Sequence, residues 1–295
     1  MKNHGRSLEL YFIDGRPDGM LTAEVFNWTG HVLVTPRTQI SDALRRTEAH
    51  HTGVYLLLGE REGEPLAYIG EGEDIAERIR NHDVRRDWWT KVVMVTTGAN
   101  NLNKAHVKYL EARLIEEARG VGRITLENGV NPSRPGLTEA AQANMEGFLD
   151  NLFIVLPAIG IDMFVSRTRS ATGTEGNGAS PMFEMQVRKH GLLALAKLVD
   201  GEFIVQAGSL VRKEWIGQGA HNYKRQFEEL VRAGILVEKG EHRVFAQSYA
   251  FSSPSAAGAM VAGRSCNGQL SWTAQGSGES YFHWEKRQLE VPSSN

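Results

Sequence analysis

The chain has one cysteine, Cys266, in 295 residues. A single thiol excludes an intrachain disulfide framework and a multi-cysteine zinc centre, and it fits a reducing compartment. Cys266 reads as a small packing residue rather than a nucleophile. Long apolar runs are also missing. A bilayer crossing takes ~20 apolar residues, and no uninterrupted run reaches that length. The polar stretch from Met1 to Glu9 lacks the apolar core of a signal peptide. The expectation is a soluble, cytoplasmic protein with no membrane partner. No phosphate-cradling Gly-Lys-Ser/Thr loop, paired-cysteine zinc motif or dinucleotide-binding glycine fingerprint is present.

Charge of one sign is scarce as well. The formal net charge is −2. Residues 1–163 hold 18 Lys and Arg against 23 Asp and Glu, a net of −5, and residues 184–290 hold 13 against 11, a net of +2. A protein that grips phosphates usually carries a basic excess, so any basic surface here must be local. Arg78, Arg80, Arg85, Arg86 and Lys91 form one such stretch. Arg212, Lys213, Lys224 and Arg225 form another. Each reads equally well as a solvated face.

Apolar residues make up 41% of the chain, enough to build cores, and the length suits two domains. Residues 165–183 are rich in Gly, Ser and Thr and read as a flexible linker. Residues 1–51 read as a β-rich N-terminal extension, with turn signals at Asp14-Gly15 and Asp18-Gly19. Residues 184–290 read as a small α+β domain. In it, Phe203 to Ser209 forms a strand into a turn, and Tyr223 to Ala233 a helix stopped by Gly234. Ser253 and Pro254 start a further helix that ends at Gly263. Asn267-Gly268 signals a hairpin turn.

The densest pattern lies between these segments. Val54, Leu56 and Leu58 alternate with Tyr55 and Leu57 as in a core strand, and a charged turn over Glu60–Pro65 leads back through Leu66 to Gly70. This predicts a β-hairpin that brings Tyr55 and Tyr68 near each other. A helix over Asp74–His82 places Ile75, Arg78, Ile79 and His82 on one stripe. A guanidinium at the edge of an apolar face needs a partner. A phosphate suits its planar fork, and a salt bridge to Glu111 or Asp74 would serve too. A strand over Lys91–Thr97 and a helix over Asn103–Ala118 follow. Glu111 sits within that helix's apolar stripe. A buried unpaired carboxylate costs several kcal/mol, about 5 or more. It must therefore be paired, protonated or bound to a metal. Glu139 to Leu156 reads as another helix, ended or kinked by Pro157.

Gly53-Val54-Tyr55, then Tyr68-Ile69-Gly70, the Arg78/His82 helix and the Glu111 helix, in that order, resemble the GIY-YIG nuclease superfamily over residues 52–131. The resemblance implies an α+β module, placed here at residues 52–164, with a three-stranded antiparallel sheet and flanking helices. It implies a metal-dependent endonuclease that hydrolyses DNA phosphodiester bonds in restriction, phage defence or repair. Tyr55, Tyr68, Arg78, His82 and Glu111 would be its catalytic residues. Glu111 would hold Mg²⁺ or Mn²⁺. Gly70, Arg80, Arg85, Arg86 and Asn128 would meet the substrate, with Asn131 a neighbour of Asn128. Two alternatives stay open: a non-catalytic nucleic-acid-binding protein on a nuclease scaffold, and an RNA-cleaving toxin or effector. A protein partner or a second copy of the chain would supply DNA affinity that the acidic N-terminal part lacks. Residues 184–290 resemble a small uncharacterised domain family appended to bacterial nucleases and restriction-type proteins, and read either as a stabilising domain or as a nucleic-acid recognition module.

Overall fold

A computed structural model describes residues 5–129, 132–169, 180–218 and 221–290. The chain is mixed α and β and divides into two compact units, Met1–Val165 and Ser166–Asn295.

The first unit is built on one seven-stranded sheet. Its strands are β1 (Leu8–Phe12), β2 (Leu21–Val25), β3 (Gly30–Pro36), β4 (Gly53–Arg61), β5 (Glu64–Gly72), β6 (Trp89–Thr97) and β7 (Thr125–Leu126). The spatial order is β1-β2-β3-β6-β4-β5-β7, and only the β5–β7 pair is parallel. The hairpin expected around Gly63 forms, with Tyr55 opposite Gly70 and Leu57 opposite Tyr68.

Within this sheet β4 lies between β6 and β5 and is antiparallel to both. The N-terminal segment is not a separate extension, because β3 pairs with β6 along its whole length, from Gly30↔Thr97 to Pro36↔Lys91. The physical reason lies in β6. Val92 to Val95 are buried on both faces, and the second edge of that strand needs a backbone partner.

Strand alternation sends two side-chain sets to opposite faces. Val54, Leu56, Ala67, Ile69, Val93 and Val95 pack against α3 (Lys104–Val121) and α4 (Glu139–Ala158). Tyr55, Leu57, Leu66, Val92 and Met94 pack against Ile75, Ala76 and Ile79 of α2 (Ile75–Arg85), and against Ala43 of the short α1 (Ile40–Ala43). Capping sets the helix starts. Asp74 accepts the Glu77 N–H of α2 at 2.9 Å, and Asn103 opens α3 with a reciprocal capping box to His106. Pro157 lies in the last turn of α4, which runs one residue beyond it.

The second unit has a six-stranded sheet of order β16-β9-β10-β11-β15-β8 and a three-stranded sheet of order β12-β14-β13. Their strands are β8 (Thr168–Arg169), β9 (Met182–Val187), β10 (Leu192–Val199), β11 (Glu202–Val205), β12 (Leu210–Arg212), β13 (Leu236–Lys239), β14 (His242–Phe245), β15 (Ser248–Phe251) and β16 (Thr273–Ala274). The helices are α5 (His221–Arg232), α6 (Pro254–Ala262), α7 (Gly268–Ser271) and α8 (Tyr281–Glu290).

The segment read as a linker is shorter than expected. Thr168 and Arg169 pair with Tyr249 and Ser248, and Met182 already belongs to β9. Residues 170–179 lie outside the described residues.

Asn267-Gly268 is not a hairpin turn. Asn267 has φ −81°, and its side chain accepts the Leu270 N–H as the N-cap of α7. A Cβ at Gly268 would run into the Pro254 carbonyl, so glycine is needed there for close approach to α6. Cys266 is half-buried beside Gly258 of that helix, and burial pushes its thiol pKa up.

Candidate active site

The site forms where β5 ends. Tyr55 on β4 is fully buried, and its ring lies across the strand onto Gly70. A Cβ built on Gly70 would stand 2.5 Å from Tyr55 Cζ and 2.9 Å from Tyr68 Cε1. Gly72 is the same kind of passage for α2, since a Cβ there would stand 2.7 Å from Arg78 Cγ. The two glycines, still paired with β4, sit on the stretch of β5 whose other edge β7 does not cover. β7 pairs only with Leu66 and Ala67, and among the described residues no strand continues beyond it. Groups from the α2 face can thus reach over the strand towards the α3 face.

Tyr55, Tyr68, His82 and Arg86 form one cluster. The Tyr55 hydroxyl and His82 Nε2 are 2.6 Å apart, and the His82 ring lies 5.5 Å from the Tyr55 ring and 5.0 Å from the Tyr68 ring. Arg86 donates to His82 Nδ1 and its guanidinium lies 4.4 Å over the Tyr68 ring. With Nδ1 accepting, neutral His82 carries its proton on Nε2 and donates it to the Tyr55 oxygen. Burial, followed by the charges of Arg86 and Arg78, lowers the His82 pKa to about 4, so it is neutral at pH 7. The Arg78 guanidinium lies near enough for its charge to pull the Tyr55 pKa down. The phenol oxygen thus accepts from His82 and keeps its own proton and a second lone pair. Burial, then Tyr68, pushes the Tyr55 pKa well above the ordinary phenol value, while Arg78 opposes the rise.

Behind this cluster stands a residue not anticipated from sequence. Glu127, just after β7, pairs with Arg86 and accepts from Arg61 at 2.7 Å and from Trp88 Nε1 at 3.1 Å. Arg86 is therefore engaged by His82, Tyr68 and Glu127. Arg80 and Arg85 are exposed on α2. Asn128 is spent on the backbone, with Oδ1 accepting from Ile69 N–H at 3.0 Å and Nδ2 donating to Ile69 C=O at 2.7 Å. It continues the sheet by one rung where β7 stops. Asn131 lies outside the described residues.

Glu111 projects from α3 on the other face and is half-buried. Its charge bears on both Tyr55 and Arg78. Glu71, the residue after Gly70, lies beside it. Burial, then the Glu71 carboxylate, raises the Glu111 pKa to about 7, against the pull of Arg78, Lys104 and Lys108. Glu71 has a partner, Lys104 Nζ at 2.9 Å, whereas no ion pair of Glu111 forms among the described residues. Glu71 was legible only as an ordinary strand-end acid. Its one signal was its place next to Gly70.

Among the described residues no group of three or more His, Cys, Asp and Glu side chains gathers for a metal. The Glu71–Glu111 pair still fits Mg²⁺ or Mn²⁺. Mg²⁺ usually takes one or two protein carboxylates and fills the remaining positions with water and phosphate oxygens. An uncompensated acid beside a second acid is the charge that such an ion would relieve.

Residues 183–285 match the family described as a domain of unknown function, DUF4357. The match covers about a third of the chain, lies wholly in the second unit, and carries no activity with it. No curated protein and no solved structure matches this chain.

Proposed function

We propose that the first unit is a GIY-YIG-type endonuclease that hydrolyses DNA phosphodiester bonds with one divalent metal ion. The observation that carries this reading is Tyr55 packed over Gly70 and Arg78 over Gly72 at the end of β5, with Glu111 near enough for its charge to act on Tyr55 and to feel Arg78. A structural salt bridge would not need a phenol, a guanidinium and an unpaired acid to meet from two faces of one sheet.

Each side chain has a distinct task. Glu111, with Glu71 beside it, would hold Mg²⁺ or Mn²⁺. When bound, the ion polarises the phosphoryl oxygen and offsets the charge developing on it. The Arg78 fork binds the scissile phosphate and stabilises the added negative charge. The proton and second lone pair of the Tyr55 hydroxyl, the first being taken by His82, orient the attacking water. With its pKa raised, Tyr55 is a phenol at pH 7 and acts by positioning unless a cation brought to the site lowers that pKa. His82 touches no substrate in this scheme. It is a positioning residue that fixes the Tyr55 oxygen and is itself fixed by Arg86.

The test is incubation of the protein with supercoiled plasmid, single-stranded DNA and RNA, with Mg²⁺ and with chelator. Cleavage should require the ion, and Glu111→Ala should abolish it without lowering the melting temperature. Full cleavage by that variant would overturn the assignment. Cleavage of RNA alone would move the reading to an RNA-directed effector.

A further inference from the structure

The second unit holds a cleft of about 310 Å³ between α5, the segment Lys213–Trp215 that follows β12, and Arg243 of β14. Its lining combines two chemistries. Trp215, Phe227 and Val231 supply an apolar, largely aromatic wall, with the Trp215 and Phe227 rings 6.0 Å apart. Lys213, Lys224, Arg232 and Arg243 supply four cations, against two acids, Glu214 and Glu228.

The cations are not held equally. Arg243 is built into the strands, donating to Lys213 C=O at 2.8 Å and pairing with Glu238 at 3.3 Å. Lys213 and Lys224 make only long, exposed ion pairs, 3.9 Å to Glu238 and 3.8 Å to Glu228. Such pairs are worth little and yield to a better anion. The indole is held in place by its own N–H, which donates to Gly217 C=O at 2.9 Å.

A second basic group lies next to the cleft in sequence. On β12, the strand that leads into Lys213, Arg212 pairs in register with His242 of β14 and donates to His190 Nε2 at 2.8 Å. Loss of solvation, then the charges of Arg212, Lys189 and His242, holds the His190 pKa below its ordinary value. All of the charges acting on it are positive. This basic group is separate from the cleft, whose lining includes neither Arg212 nor His190.

We propose that this cleft binds one unpaired nucleotide of a single-stranded DNA segment, its base against Trp215 and its flanking phosphates on Lys213 and Lys224. Pockets for small ligands start at about 300 Å³, room for a single base with its sugar. Aromatic side chains beside a basic track are the usual means of holding a single strand without reading its sequence. Bases stacked inside a duplex cannot enter a concave site unless extruded, so the site favours unpaired strand over duplex. An acidic peptide would satisfy the lysines and leave the aromatic wall without a matching ring. The inference rests on the nuclease reading for the kind of partner, and the experiment below separates the two.

The full chain with Glu111→Ala, so that nothing is cut, is titrated into a labelled twelve-nucleotide thymidine strand and into a duplex of equal length, at ~50 and ~200 mM salt. The single strand should bind more tightly. Lys213→Glu with Lys224→Glu should weaken it tenfold or more and flatten the salt dependence, each lost phosphate contact removing ~0.7 from the slope. Trp215→Phe, which keeps a ring in the wall, should retain the lysine contacts and reduce the binding-induced quenching of tryptophan emission. Single-strand binding untouched by the lysine changes, or displaced equally well by a glutamate-rich peptide, would overturn the proposal, as would preference for duplex. A protein that binds the strand through these residues but cuts nothing before Glu111 is altered would sink the nuclease reading and leave the cleft standing.

Discussion

Gly70→Ala is the sharpest perturbation of the site. The backbone at Gly70 has an ordinary φ, so alanine incurs no conformational penalty there. The whole effect comes from one methyl group. That carbon would stand 2.5 Å from Tyr55 Cζ and 2.9 Å from Tyr68 Cε1, where ordinary contacts begin near 3.4 Å. Either ring must retreat by about 1 Å. Tyr55 is fully buried and tied to His82 at 2.6 Å, so it cannot retreat without breaking that bond. Overpacking of this kind costs ~1–3 kcal/mol, and loss of one buried hydrogen bond adds ~1 kcal/mol. The expected stability loss is therefore about 2–4 kcal/mol by urea unfolding. A misplacement of about 1 Å costs ~100-fold in rate, so cleavage should fall further than the fraction folded explains. Gly98→Ala is the control, since nothing lies within 4 Å of a Cβ there. A folded Gly70→Ala protein with wild-type cleavage would refute the reasoning that Tyr55 works by being held over this glycine.

Other outcomes follow from the same geometry. With chelator present, the raised Glu111 pKa means the folded state holds a proton that the unfolded state has released, so this group's contribution to stability falls as pH rises from about 4.5 to about 7. Glu111→Gln should remove that slope in urea unfolding at several pH values. The depressed His82 pKa acts oppositely: its contribution is full above about 6.5 and lost as pH falls towards about 4. His82→Gln should weaken the acid-side loss, and an imidazole titrating near 6.5 by NMR would contradict the network. At pH 8, Mg²⁺ should raise the melting temperature of the wild type and leave Glu111→Gln unmoved; equal shifts would place the ion elsewhere. Asn128→Ala should cost ~1–3 kcal/mol in urea unfolding, because it strips both backbone partners from Ile69.

Local signals were legible where local physics decides. Asp74, Asn103 and Ser253 cap the helices that their positions announce, and Tyr55 and Tyr68 lie on the hairpin that alternation predicts. What escaped the sequence was non-local. The pairing of β3 with β6 joins residues some sixty apart and leaves no periodic trace in either strand. Asn267-Gly268 has the composition of a tight turn, yet the nearness of Pro254 makes it a helix start. Glu71 and Glu127 look like solvated acids in the sequence. Only the folded sheet sets one against Glu111 and the other behind Arg86. Asn128 shows the reverse, a polar residue read as facing a ligand and occupied instead by a strand's backbone.

The lone thiol has a practical consequence. Burial beside α6 keeps Cys266 protonated at neutral pH, and a protonated sulfur is a poor nucleophile towards maleimides or peroxide. An exposed cysteine introduced on α5 would therefore be labelled first, with the native one still in place. Fluorophores attached that way could follow a strand entering the cleft in real time.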